Sequence, residues 1–193
     1  MKKIYRYLLM TVLALCLSIP ALAAEAASVV LIPLINNVQG DEIANQIFYK
    51  NAISAINAQQ GYVIVDNDHV TAIIEANKNG KNVPTEAALQ KIAKDAKVDI
   101  VISMQLDELY DEPMTPSNER MLKLTMRGKA VAYNAMTGKH YKHDIYSDKE
   151  IDETLTSRWD WVHEEWGYAV RREINRILQV KKIIIDAPRM SKL

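Results

Sequence analysis

Apolar residues fall along this chain in two kinds of run, and the contrast between them sets the fold class. In residues 100–106, Ile100, Ile102, Met104 and Leu106 share one side while Val101 and Ser103 occupy the other, so both faces are apolar or small until Gln105 and Asp107. Burial on both faces is what a central strand under helices requires. Residues 28–35 form a similar run that predicts a first strand, with Pro33 at a bulge or near its end because proline has no N–H to donate. Residues 121–133 behave differently. Leu122, Leu124, Met126, Ala130 and Ala132 alternate with Lys123, Thr125, Arg127, Lys129 and Tyr133. That pattern predicts an antiparallel strand with one face in the core and one in water.

Helical spacing fills the intervals. Asp41 caps a predicted helix running to about residue 58, with Ile43, Ile47, Ala52 and Ile56 inward, and Gly61 stops it. Residues 62–65 are a short second strand, and strand, helix, strand in that order makes a right-handed parallel crossover. Asp68 caps a short helix with Val70, Ile73 and Ile74 inward, and 77–82 is a polar break. Pro84 and Glu86 open a further helix through Ala88, Leu89, Ile92, Ala93 and Ala96, which feeds the central strand. Paired acids and prolines between 107 and 118 predict an exposed loop.

Residues 134–138 are a hairpin turn, and 139–147 the return strand. A last helix has capping-box spacing at Ser157 and Asp160 and a stripe of Trp159, Val162, Trp166, Ala169, Val170, Ile174, Ile177 and Leu178. Its acids come early and its arginines late, in line with the helix dipole. Residues 180–185 are either the last turns of that helix or a short closing strand. The sum is an α/β (α+β) fold, a single mixed sheet with helices on both faces in the order β-α-β-α-α-β-β-β-α.

The N-terminus changes the accounting. Lys2, Lys3 and Arg6, the apolar stretch 8–17 and Ala21-Leu22-Ala23 have the layout of a bacterial secretory leader, too short to be a membrane span. The division that follows is a signal peptide over 1–24 and one α/β domain over 25–193. Leu15 stands where a lipobox needs a small residue before Cys16, so lipid anchoring is not expected. Cleavage leaves a chain without cysteine, stabilised by its core alone, and shifts the formal net charge from zero to about −3. That balance lacks the basic excess of a nucleic-acid binder.

Three local signatures now point to a known family. They are the apolar first strand ending near Pro33, the helix delivering Ala96-Lys97-Val98-Asp99-Ile100-Val101-Ile102-Ser103, and the long strand turning at Asn134-Ala135-Met136-Thr137-Gly138-Lys139, where Asn134 takes the place of the usual Asp. Together they resemble the bacterial envelope family that includes the CsgG-like secretion proteins, the LpoB-like activators of penicillin-binding proteins and the TolB N-terminal domain. The resemblance implies an exported, periplasmic binding or assembly module that is not an enzyme, acting on an envelope protein partner in cell-wall synthesis or secretion. A secretion-pore subunit is the alternative within the family. A pore hairpin would have to come from 107–120 or 140–154, which are polar on both faces and carry prolines or charge runs.

Reactive chemistry is sparse. His163-Glu164-Glu165-Trp166-Gly167 opens like a zinc-protease helix but has Gly where the second imidazole belongs, so His163 reads as part of a solvated helix face. His140 and His143, three apart in a strand, point to opposite faces. Asp66-Asn67-Asp68-His69 lacks the later residues of a calcium loop. Asp107, Glu108, Asp111 and Glu112 offer carboxylates without fixed spacing; an exported hydrolase using them or the histidines is the rival from another class. No catalytic, cofactor-binding or metal-binding residues are assigned. The candidate partner surface is the stripe Lys123, Arg127, Lys129 and Tyr133, together with Trp161, which stands off the apolar stripe of the last helix. Such a row would meet an anionic surface, or else pair its charges with the neighbouring strands.

Overall fold

Ile100, Ile102, Met104 and Leu106 are buried on one face of the sheet and Val101 and Ser103 on the other, as the two-sided run requires. The structure, a computed structural model, describes residues 26–115, 118–152 and 158–178, with the side chains of 115, 118–120 and 158–160 left aside. The leader over 1–24, Ser157 with its capping box, the Trp159 side chain and residues 180–185 lie outside what is described.

In chain order the elements are β1 (Ala27–Leu31), β2 (Ile35–Asn36), α1 (Ile43–Asn57), β3 (Tyr62–Ile64), α2 (Asp68–Ala76), α3 (Glu86–Ala96), β4 (Ile100–Thr115), β5 (Asn118–Asn134), β6 (Lys139–Asp152) and α4 (Arg158–Ile177). They build one mixed sheet in the order β3-β1-β4-β5-β6, with β2 also on β4. β1 runs parallel to β3 and β4, while β4, β5 and β6 form an antiparallel meander. Pro33 divides the predicted first strand into β1 and β2, both of which pair with β4.

Helices cover both faces. The larger core joins Phe48, Ala52 and Ile56 of α1 and Trp166, Val170 and Ile174 of α4 to the Ile100 row and to Leu122, Leu124 and Met126. The smaller core joins Val70 and Ile74 of α2 and Leu89, Ile92 and Ala93 of α3 to Val30, Val101 and Val131. No described helix is long and apolar enough to cross a membrane.

Local chemistry accounts for the junctions. Lys97 ends α3 in the left-handed conformation at φ 53°, which turns the chain directly into β4. Asp99 then clamps the start of β1: its Oδ2 accepts from the Ser28 N–H and Oγ–H, both at 2.7 Å, and its own N–H donates to Ser28 Oγ. At the hairpin, Asn134 Oδ1 accepts the Thr137 N–H at 3.1 Å and Gly138 takes φ 67°.

Several expectations change. The cap of α2 is Asn67, whose side chain accepts from Val70 N–H, with Asp68 in the first turn. The inward side of α1 is Ala44, Phe48, Ala52, Ala55 and Ile56; Ile43 is exposed, because α1 packs against α4 as well as the sheet and small residues let the helices approach. The predicted loop after Leu106 is strand. β4 continues to Thr115 and β6 to Asp152, so with β5 they make a long three-stranded arm. Asp107 is the extra residue of a β-bulge, opposite no residue of β5. The bulge resets the alternation so that Leu109, not Glu108, faces the core.

Candidate partner interface

Register defines the face of the arm that carries the candidate residues. Lys123, Thr125, Arg127, Lys129, Val131 and Tyr133 of β5 point away from the larger core. Opposite them on β4 stand Glu112, Tyr110, Glu108, Gln105, Ser103 and Val101, and on β6 Glu150, Asp148, Tyr146, Asp144, Lys142 and His140. α2 and α3 cover only the end of this face near Val101, Val131 and Tyr133. The row of Gln105 and Lys129 marks the margin, where Gln105 Oε1 accepts the Val83 N–H at 2.9 Å. Beyond it Tyr110, Met114 and Tyr146 are exposed, 46%, 39% and 57%.

The stripe is therefore not a basic surface. Lys123 lies between Glu112 and Glu150, and Lys129 has Asp144 beside it. Arg127 is half-exposed and committed: its guanidinium lies 3.8 Å over the Tyr146 ring and reaches Asp148 Oδ1 at 3.3 Å, while the Tyr146 hydroxyl donates to Asp148. Thr125 is buried within this face. Tyr133 belongs to the covered end, packed on the α2 and α3 core and stacked on His140, whose Nε2 meets Gln90 Nε2 at 2.9 Å. Of the residues singled out from sequence, Lys123, Arg127 and Lys129 share the open face. Tyr110 and Met114 were missed because their exposure depends on a strand where a loop was predicted, and on its bulge; Tyr146 lies in the predicted return strand, but only the register puts it beside Arg127.

Trp161 is elsewhere. It is 5% exposed and sits in the larger core, so it does not belong to an exposed patch. His163 is also buried, at 6%, against the expectation of a solvated face. Both follow from α4 being covered on two sides, by the sheet and by α1. Trp166 donates its indole N–H to Ala44 O at 3.1 Å, and a Cβ on Gly167 would lie 2.9 Å from Asn51 Nδ2.

His163 Nε2 stands 3.1 Å from Asp41 Oδ2, between two open hollows of about 440 Å³ each. One is lined by Ile43, Lys50, Tyr168 and Arg171 among others, the other by Val38, Leu109, Tyr110 and Val162. Among the described residues neither lining includes Ser, Thr or Cys. His140 and His143 do point to opposite faces. His143 Nδ1 lies 3.1 Å from the fully buried Glu173, which also accepts from the Tyr141 hydroxyl at 2.7 Å, Arg172 Nε at 3.0 Å and Arg176 at 2.9 Å. Burial first, then the hydrogen bond and charge of Glu173, push the Tyr141 phenol well above its ordinary pKa. Asp107 accepts from Gln105 and Asn37 side chains, which fixes the bulge. Among the described residues no three His, Cys, Asp or Glu gather as metal ligands.

No protein-family model and no curated protein sequence matches the chain. Among solved structures it is similar to the hypothetical protein CT253 from Chlamydia trachomatis, at 11% identity and a TM-score of 0.49, over 79% of this chain and 94% of that one. It is also similar to lipoprotein GNA1162 from Neisseria meningitidis, at 16% and 0.40 over 80% and 99%, and to the LpoB C-terminal domain from Salmonella enterica, at 8% and 0.37 over 67% and 87%. Identities and scores this low say nothing about what the chain binds.

Proposed function

We propose that this chain is an exported, non-enzymatic binding module of the bacterial cell envelope that grips a protein partner with the open face of the β4–β6 arm. The observation that supports this most directly is the asymmetry of the arm. One face is packed under α1 and α4, while the other displays Tyr110, Met114 and Tyr146 among Lys123, Arg127, Glu108 and Glu112, with no helix over them among the described residues. Exposed aromatics ringed by charges of both signs suit a protein surface better than a polyanion, because every cation in the row already has an acid or an aromatic ring beside it. The leader-like layout of residues 1–24 supports a partner in the envelope, and cell-wall synthesis or secretion is the setting this reading favours.

A photo-crosslinking residue at Lys123, which lines neither hollow, tests the reading in intact cells. A discrete adduct with one envelope protein, missing when the same residue replaces exposed Met136 at the hairpin tip, is the expected result. Adducts only from positions around the two hollows would overturn it.

The hydrolase alternative draws on one specific observation, the buried His163 and Asp41 between the hollows. A His and carboxylate pair activates a nucleophile only if one stands within hydrogen-bond reach. Asp41 is occupied otherwise: its Oδ1 accepts the Ala44 N–H at 3.0 Å in the first turn of α1. Turnover in a broad hydrolase screen, lost in His163→Ala, would favour the enzyme.

A further inference from the structure

β6 ends the sheet, and among the described residues no strand pairs with its outer edge. Exposed edges are normally blunted by charge so that they do not pair with other chains. Here the charges are sorted. Lys139, His140, Lys142 and His143 occupy the first part of the strand, and Asp144, Asp148, Glu150 and Asp152 the rest, with Lys149 the one cation among them. A uniformly charged edge repels every copy of itself. A polarised edge repels a parallel copy and attracts an antiparallel one.

We propose that β6 is a self-association edge, at which a second copy of this chain pairs antiparallel about a two-fold axis passing through Ile145. Such an axis is perpendicular to the sheet, so open face meets open face and only same-face residues stand opposite one another. With Ile145 opposite Ile145, Lys142 faces Asp148, His140 faces Glu150 and Asp144 faces Tyr146, and no like charges meet on the open face. Moving the axis to Tyr146 sets Asp144 against Asp148, and moving it to Asp144 sets Asp144 against itself. The sequence of the edge thus selects one register and penalises its neighbours.

The helix beside the edge carries the same polarity. α4 runs antiparallel to β6, with Glu165 bridging Lys149 and Arg176 reaching His143. A two-fold through Ile145 would bring the acidic start of one α4 alongside the arginine-rich end of the other, reinforcing the strand pairing. The proposed dimer leaves Tyr110, Met114 and Lys123 uncovered, so it stands apart from the partner-binding reading.

Sedimentation of the purified protein at low and high salt, as wild type, K142E, K139E and the double variant K142E/D148K, tests the proposal. A salt-sensitive dimer is expected. K142E sets like charges opposite each other twice in the symmetric interface and should raise the dimer Kd by about tenfold or more. K139E makes the same charge change opposite Ile151 and should leave Kd within about twofold. The double variant exchanges the charges and should restore the dimer. Circular dichroism confirms that each variant is folded, and if the double variant is not, the contrast between K142E and K139E decides alone. A monomer at millimolar concentration in low salt, or a dimer on which K142E has no more effect than K139E, would overturn the proposal.

Discussion

His163 Nε2 lies 3.2 and 3.1 Å from the two carboxylate oxygens of Asp41, and Asp41 Oδ1 in turn accepts the Ala44 N–H. One side chain near the start of α4 is thereby tied to the first turn of α1, across 122 residues of chain. Both groups are nearly buried, with side-chain exposures of 8% and 13%. Asp41→Ala should therefore lose a helix cap and the contact with the imidazole, destabilising the fold by ~2 kcal/mol in urea titration. His163→Ala should cost a similar amount, and the double variant clearly less than the two singly, since both changes remove one shared contact.

The Tyr141 hydroxyl donates to buried Glu173, so an ionised Tyr141 would set a phenolate against a carboxylate. Its pKa is raised in the folded state, which means that its contribution to stability is present below about pH 10, the unfolded value, and is lost as pH rises from there. Stability of wild type and Tyr141→Phe measured from pH 7 to 11 should show the wild type ahead by ~1 kcal/mol near neutrality and the gap closing above about pH 10.

Gly128 faces Leu106 beside the bulge, where a Cβ would come within 2.4 Å of the Gln105 carbonyl oxygen. The obstructing atom is backbone and cannot swing aside. Gly128→Ala should destabilise by ~3 kcal/mol and disturb the arm, visible as amide-exchange loss around 105–110.

Trp161 and Tyr110 separate core from surface. Trp161→Ala removes a buried ring and should lower stability by ~3–5 kcal/mol, whereas Tyr110→Ala should move it by about 0.5 kcal/mol or less. Equal and small effects from both would place Trp161 on the surface, contrary to the packing described.

The sheet was legible because strand alternation needs only local spacing: the Ile100 row and the Leu122 to Ala132 row lie on the faces their periodicity assigns. The arm was not legible, since Asp107, Asp111 and Pro113 carry loop chemistry and one bulge shifts which side Leu109 and Tyr110 take. The character of the Lys123 to Lys129 stripe depended on what lies across from it. Glu112 and Glu150 belong to other strands, so only the register shows that the cations are flanked by acids. His163 and Trp161 sit on either side of Val162, and helical spacing counts one buried stripe where α4 has two covered sides.

The central claim is that Tyr110 and Met114 are open in the isolated protein and covered by a partner in the cell. Hydroxyl-radical footprinting of the purified chain and of the same chain in intact cells measures this at two positions that the β6 edge does not touch. Both residues should oxidise readily in the purified protein and be protected several-fold in cells, while Met136 at the hairpin tip oxidises equally in both. Equal oxidation of Tyr110 and Met114 in the two settings would contradict the account.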